Sequence, residues 1–193
     1  VTPVPAQMRR GPQWFSGSAD AIYQNLNLIS DERPDIVCVF GADHIYHMDP
    51  RQMVEHHRAV GAGVTVAAIP VPVAEGSQFG IIEASATGKI IAFHEKPADP
   101  PTMPGDTSRV LASMGNYLFD PHVLAGLLQA GCGRGGTDFG HHILPRLPGR
   151  QRIYAYDFAR NCVPGIRSHE ERAYWRDVGT LDALREAQND ILG

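Results

Sequence analysis

Asp35-Ile36-Val37-Cys38-Val39-Phe40-Gly41-Ala42-Asp43-His44 is the stretch whose reading decides the fold. After Pro34 the chain enters an unbroken apolar segment too short for a helix, then meets a glycine and an acid. A short apolar run between turn residues reads as a strand buried on both faces, the kind found in sheets covered by helices on each side. Cys38 within it reads as a small core residue. In open α/β sheets ligands bind beyond the carboxyl ends of such strands. Gly41 lets backbone approach a ligand closely, and Asp43 at that edge is placed either to hold a cation or to cap a turn.

Working outward, residues 1 to 17 carry Pro3, Pro5, Gly11, Pro12 and Gly17 and read as loop. Ser18 offers an N-cap to a helix over 19 to 30, with Ile22, Leu26 and Ile29 at helical spacing. Asp49 followed by Pro50 predicts a capped helix running to Gly61, and Asp120-Pro121 opens another by the same device. Residues 64 to 69 form a second buried strand, and 81 to 83 with 90 to 93 form a hairpin around Thr87-Gly88. A loop follows over 98 to 107, then a strand at 117 to 119, a flexible break at 131 to 136 and a helical stretch over 138 to 147. A strand at 152 to 158 and a short segment at 174 to 178 lead to a last helix. Thr180 caps it, with Leu181, Leu184 and Ile191 on one face. Short strands alternating with capped helices predict one α/β layered domain with a mostly parallel, mixed sheet.

The chain has 193 residues, 43% hydrophobic and 20% charged, with a net charge of -4. That is a globular composition with no basic face, which argues against a nucleic-acid partner. No apolar run reaches the ~20 residues of a membrane helix, and the opening residues lack a signal-peptide core. Cys38, Cys132 and Cys162 are odd in number and widely spaced, which fits reduced thiols and a cytoplasmic protein.

Two further groups draw attention. Asp177 lies between Trp175 and Gly179 just before a helix N-terminus, placed to share a divalent ion with Asp43 or to support the helix electrostatically. Glu95-Lys96-Pro97 ends the hairpin, and Pro97 is expected to hold Lys96 extended. Lys96 can act as a point charge on a phosphate and Glu95 can accept from sugar hydroxyls, although a solvated Glu-Lys pair is the ordinary reading. His56-His57 and His141-His142 are adjacent rather than i, i+4 pairs and read as partly exposed, non-catalytic residues.

Seven segments taken together carry a family resemblance. They are Trp14 to Ala21 (Trp-Phe-Ser-Gly-Ser-Ala-Asp-Ala), Gly41-Ala42-Asp43-His44-Ile45-Tyr46, Phe79-Gly80-Ile81, Glu95-Lys96-Pro97, Ser113-Met114-Gly115-Asn116-Tyr117, Asp138-Phe139-Gly140 and Tyr174-Trp175-Arg176-Asp177-Val178-Gly179-Thr180. Their order resembles that of the bacterial glucose-1-phosphate adenylyltransferases, in wording most like actinobacterial members, over essentially the whole chain. The resemblance implies a Rossmann-like, GT-A-type nucleotidyltransferase fold. It also implies transfer of AMP from ATP to α-D-glucose 1-phosphate, giving ADP-glucose and pyrophosphate for glycogen synthesis. By position it implies that Asp43 and Asp177 hold Mg²⁺ and that Lys96 binds the sugar phosphate. Glu95, Ser113, Asp138, Phe139 and Trp175 would shape the glucose pocket, with Phe15, Gly17 and Ser18 against the nucleotide.

The sequence departs from the family pattern in two places. Nothing here resembles the family's first strand with its Gly-rich phosphate loop, and the chain ends before the family's C-terminal β-helix. Residues 1 to 193 are therefore expected to be a partial catalytic domain with little turnover alone, from an allosteric, homotetrameric parent. Rivals of the same fold are a thymidylyl-, uridylyl- or cytidylyltransferase and a non-catalytic regulatory or assembly subunit. A GT-A glycosyltransferase is more distant, since its Asp-x-Asp motif is absent at Gly41-Ala42-Asp43.

Overall fold

Alternation along the strands sorts the apolar side chains onto two faces of a mixed sheet, and each face is covered by helix. The computed structural model describes residues 3–8, 11–12, 14–132, 135–167 and 170–192. Positions 1, 2, 9, 10 and 13 of the predicted loop, 133 and 134 of the predicted break, and the Ile191 side chain lie outside the described residues. The strands are β1 (Val37–Phe40), β2 (His44–Tyr46), β3 (Val64–Pro72), β4 (Gly80–Ala84), β5 (Ile90–Glu95), β6 (Arg109–Phe119), β7 (Ile153–Asp157) and β8 (Trp175–Asp177). The helices are α1 (Ser18–Tyr23), α2 (Leu26–Glu32), α3 (Pro50–Ala59), α4 (Pro121–Cys132) and α5 (Leu181–Leu192).

The main sheet runs β5-β4-β6-β3-β7, with β1 beside the far half of β6, while β2 and β8 form a separate two-stranded ribbon. Val66, Phe119 and Ala155 point to one face, packing with Leu124, Leu128 of α4 and Phe139. Their neighbours Ala67, Leu118 and Tyr156 point to the other, against Met53 of α3 and Trp175. The α/β reading holds, but the balance of directions differs from the expectation. Only β3 and β7 pair in parallel among the described strands, whereas β6 pairs antiparallel with β1, β3 and β4. Strands β1, β3 and β7 do run the same way. The long β6 is inserted between β1 and β3 in the opposite sense, so their common direction produces no direct pairing.

Other expectations are corrected by local hydrogen bonding. The helix over 19 to 30 is broken into α1 and α2. The Asn25 side-chain amide donates to the Ala21 carbonyl at 2.8 Å, the acceptor its own N–H would use in a continuous helix. That N–H turns instead to the Ile22 carbonyl at 2.9 Å. The predicted strand at 117 to 119 is the end of an 11-residue strand. A register shift between Val66 and Ala68 opposite β6 shows a bulge, and Gly115 at φ +75 sits within it.

Strand β1 is not buried on both faces: Cys38 and Phe40 are exposed, and β6 is its partner within the sheet. Cys38 is thus a surface thiol rather than a core residue. On α5 the predicted apolar face is also turned outward. Leu181 is 85% exposed, while Ala187 is fully buried, because small side chains let the helix approach β8 closely. The two capped starts are as expected: Asp49 accepts from the Arg51 N–H, and Asp120 accepts from the His122 N–H at 2.9 Å. No described helix is long and apolar enough to cross a membrane.

Candidate active site

The ribbon of β2 and β8 brings the two distant aspartates to diagonally neighbouring backbone positions. His44 is the register partner of Asp177, and the Val178 N–H donates to the Asp43 carbonyl at 3.2 Å, so Asp43 lies one residue from Asp177's own level. The ribbon is anchored by Trp175, 7% exposed, whose ring meets His44 and Phe79 with centroids 5.4 Å away in each case. The Trp175 indole N–H is buried without a hydrogen-bond partner among the described residues. Asp43 itself is open, its side chain 73% exposed, with His44 Nε2 at 3.7 Å. One Asp177 oxygen accepts from the Gly179 N–H at 2.9 Å, which supports the turn into α5; its other oxygen carries no hydrogen bond among the described residues.

The second grouping is built where β5 ends against the turn after α4. Asp138 caps that turn: Oδ1 accepts from the His141 N–H at 3.0 Å and Oδ2 from the Ser18 hydroxyl at 2.9 Å. Ser18 Oγ also accepts from the Phe139 N–H at 3.2 Å. Partial burial pushes the Asp138 carboxyl up, but these hydrogen bonds and the His141 ring outweigh it and leave it below the usual carboxylate range. Glu95 is more enclosed, its side chain 17% exposed. A methyl group added at Gly140 would lie 2.5 Å from Glu95 Oε2, so that glycine is required by the carboxylate's position; at Gly80 one would meet the Phe93 ring at 2.6 Å and Glu95 Oε2 at 3.0 Å. Burial raises the Glu95 carboxyl, with His141 and Lys96 pulling it partly back.

Lys96 is not extended as its following proline suggested. Its φ is +46, in the left-handed region that a non-glycine residue occupies at a cost of about 1–2 kcal/mol. Its N–H is held by the Phe79 carbonyl at 3.0 Å, which overrides the preference set by Pro97. Phe79 thereby connects Lys96 to Trp175 and the ribbon.

Tyr117, placed by the sequence in a strand and a family segment but given no role, stands between the two groupings. Burial pushes its hydroxyl up to about 12, opposed by a hydrogen bond from Ser113, with Glu95, Asp138 and Asp43 all close enough to add to the rise. Ser113 is 8% exposed on β6. Two residues along, a Cβ at Gly115 would come within 2.8 Å of the His44 ring, so the bulge glycine is what lets the ribbon dock on β6. Gly41 donates to the Gly115 carbonyl at 3.3 Å, and a side chain there would meet Asp43 Oδ1 at 3.0 Å.

The structure therefore brings together Asp43 with Asp177 and Trp175, and Ser18 with Glu95, Lys96, Asp138 and Ser113 by way of Tyr117. Phe139 is placed otherwise: 2% exposed, it packs on the Tyr117 and Phe119 rings at 5.7 and 5.5 Å and supports the pocket from beneath. Ser18 spends its hydroxyl on Asp138, and Gly17 packs against the Thr137 backbone; Phe15 is half-buried just before them. His57 is a core residue, 4% exposed, paired with Thr65 at 2.8 Å, not a partly exposed one. His141 sits at the second grouping, 3.3 Å from Asp138 Oδ1 and 4.0 Å from Glu95 Oε1. The signal for it was its place three residues after a capping aspartate, one turn away. A separate cavity of about 570 Å³ opens beside β8, lined by Pro72, Glu75, Gln78, Phe79, Asp177 and Ala183 among others. Asp43, Glu95 and Lys96 are not in its wall.

A metal held here would have few protein ligands. Among the described residues no three His, Cys, Asp or Glu side chains cluster as a cage. Two partly free carboxylates are what Mg²⁺ uses when substrate phosphates complete its shell, so the donor set fits that ion.

A family model described as nucleotidyl transferase matches residues 1–193. Among curated proteins the chain is 56% identical over 192 residues to a glucose-1-phosphate adenylyltransferase of Anaeromyxobacter dehalogenans (strain 2CP-C), covering 98% of this chain and 46% of that protein. It is 54% identical over 194 residues to the enzyme of that name from Frankia casuarinae, covering 99% and 47%. The corresponding protein of Mycolicibacterium smegmatis is 51% identical over 194 residues, covering 100% and 48%. The chain thus spans about half the length of the curated relatives it matches.

Proposed function

We propose that this chain, which belongs to the nucleotidyl transferase family, supplies the sugar-phosphate and cation side of a glucose-1-phosphate adenylyltransferase. The observation that supports the reading is the β2–β8 pairing, which sets the Asp43 backbone against Val178, one residue from Asp177, while Asp43, Glu95 and Asp138 all lie near Tyr117. Glu95 and Asp138, acceptors held by burial and by capping, would receive hydroxyl protons of glucose. Lys96 would hold the phosphate, and its left-handed backbone is strain kept at a working position. Trp175 and Ser113 close the pocket behind these groups. Asp43 and Asp177 would hold Mg²⁺, which when bound neutralises phosphate charge and favours an in-line geometry.

The chemistry asks for no activated side chain. An oxygen of the glucose 1-phosphate phosphoryl group attacks the α-phosphorus of ATP, a new P–O bond forms, the α–β bridging bond breaks, and pyrophosphate leaves. The protein's contribution is to fix the attacking phosphate and balance its charge. Of the residues first assigned to the nucleotide, Phe15 keeps that role. Gly17 and Ser18 become supports of the pocket wall. The product, ADP-glucose, suits glycogen synthesis in the cytoplasm, and a homotetramer is the assembly proposed for the protein at the relatives' length.

Calorimetric titration of the chain with glucose 1-phosphate tests this. Binding strengthened by Mg²⁺ and much weaker for glucose 6-phosphate is expected. Equal affinity for both sugars, or indifference to Mg²⁺, would overturn the reading.

A further inference from the structure

His141 is the only imidazole in contact with both carboxylates of the pocket among the described residues, and the proposed chemistry leaves it unused. Its ring is 61% exposed and so open to solvent. The charges around it can be counted. Glu95 faces it from the end of β5, and Asp138 from its own turn. Lys96 follows Glu95 and acts on it electrostatically, and His142 is the neighbouring ring at 6.2 Å. With His141 neutral, the two carboxylates and Lys96 leave this patch with a net negative charge facing an anionic ligand. With His141 protonated, the patch is balanced.

We propose that His141 is a positioning residue that makes the pocket's affinity for a sugar phosphate depend on pH, protonation of its ring offsetting Glu95 and Asp138 so that the phosphate is accepted. This rests on the sugar-phosphate reading above and adds its regulation. Imidazole and carboxyl groups take up protons in different pH ranges, so a charged ring beside charged carboxylates exists only within a window. Below it Glu95, already raised by burial, takes up a proton and ceases to accept from the sugar. Because the ligand prefers the protonated ring, binding must draw a proton onto the protein by linkage.

The test compares the wild-type chain with His141→Gln and His141→Lys by calorimetry at pH 6 and pH 8. The ligand's own second ionisation, near pH 6 as for other phosphate esters, is common to all three and cancels in the ratios. Wild type is expected to bind glucose 1-phosphate roughly three- to tenfold more tightly than H141Q at pH 6 and equally at pH 8. H141K should bind tightly at both. Methyl α-D-glucoside, which has no charge, should show no such ratio. Repeating wild type near pH 7 in buffers of different ionisation enthalpy should reveal fractional proton uptake that H141Q lacks. A wild-type to H141Q ratio that is the same at both pH values overturns the inference and leaves the sugar-phosphate site standing. Failure of wild type to bind at either pH overturns both. That case is distinguishable because the His141 ring titration by NMR, compared with Glu95→Gln and no ligand present, still reports the imidazole–carboxylate coupling.

Discussion

The two halves of the candidate site are built in opposite ways. Around Asp138 the carboxylate is already engaged: Ser18 and His141 hold it, and Gly140 leaves little space beside the enclosed Glu95. Around Asp43 the surface is open, and the ribbon's aspartates keep oxygens free. The difference follows from what each half has to bind. Neutral hydroxyls are distinguished by acceptors fixed in place beforehand, because a misplaced or unpaired buried acceptor forfeits the selectivity. A hard cation that arrives with phosphates needs carboxylates that nothing else has claimed.

Gly115 is common to both halves, so its replacement should have the largest effect. Gly115→Ala places a side chain against the His44 ring at a φ of +75. It is expected to destabilise the fold by about 2–4 kcal/mol in urea unfolding and to remove both sugar-phosphate and cation binding. Asp43→Asn and Asp177→Asn should separate the halves. Each is expected to weaken Mn²⁺ binding in the presence of glucose 1-phosphate by roughly 100-fold, with metal-free sugar-phosphate affinity changed by less than about threefold. Similar losses in both measurements would show that the halves are not distinct.

Glu95→Gln probes the pre-built half from the side of stability. The folded carboxyl is raised above its unfolded value, so in the window between the two the folded state holds more protons and stability falls as pH rises. Removing the charge should therefore stabilise the chain at neutral pH and flatten that slope, while glucose 1-phosphate binds roughly 10- to 100-fold more weakly. Thermal unfolding between pH 4 and pH 7 alongside calorimetry checks both signs. The smallest effect is expected at Lys96. Lys96→Gly relieves the left-handed strain and should raise stability by about 0.5 kcal/mol, net of glycine's unfolded-state entropy, while affinity falls roughly tenfold. A loss of stability there would mean the backbone is not strained.

Much of this architecture was legible because local chemistry determined it. Asp49-Pro50 and Asp120-Pro121 marked two helix starts to the residue, since an aspartate cap and a proline at the first helical position act within one turn. Asp43 and Asp177 were paired in advance through family resemblance; the β2–β8 ribbon puts their backbones at neighbouring positions and leaves their role to experiment. What could not be read depended on distant partners. The length of β6 was hidden because Gly115 and Asn116 look like a turn until β1 and β3 flank them. The conformation of Lys96 depends on a carbonyl at Phe79, and the outward face of α5 on the small contact at Ala187. Tyr117 stood in a recognised segment without a role of its own and His141 in none, and only the juxtaposition of β5, β6 and the Asp138 turn gives them neighbours.

Anomalous diffraction from the chain crystallised with Mn²⁺ and glucose 1-phosphate addresses the central claim directly. The account predicts one manganese peak bridged by the carboxylates of Asp43 and Asp177, with the sugar phosphate touching both the ion and Lys96 and the glucose ring against Glu95. Manganese bound away from those aspartates, or a sugar phosphate bound out of reach of the ion, would contradict it.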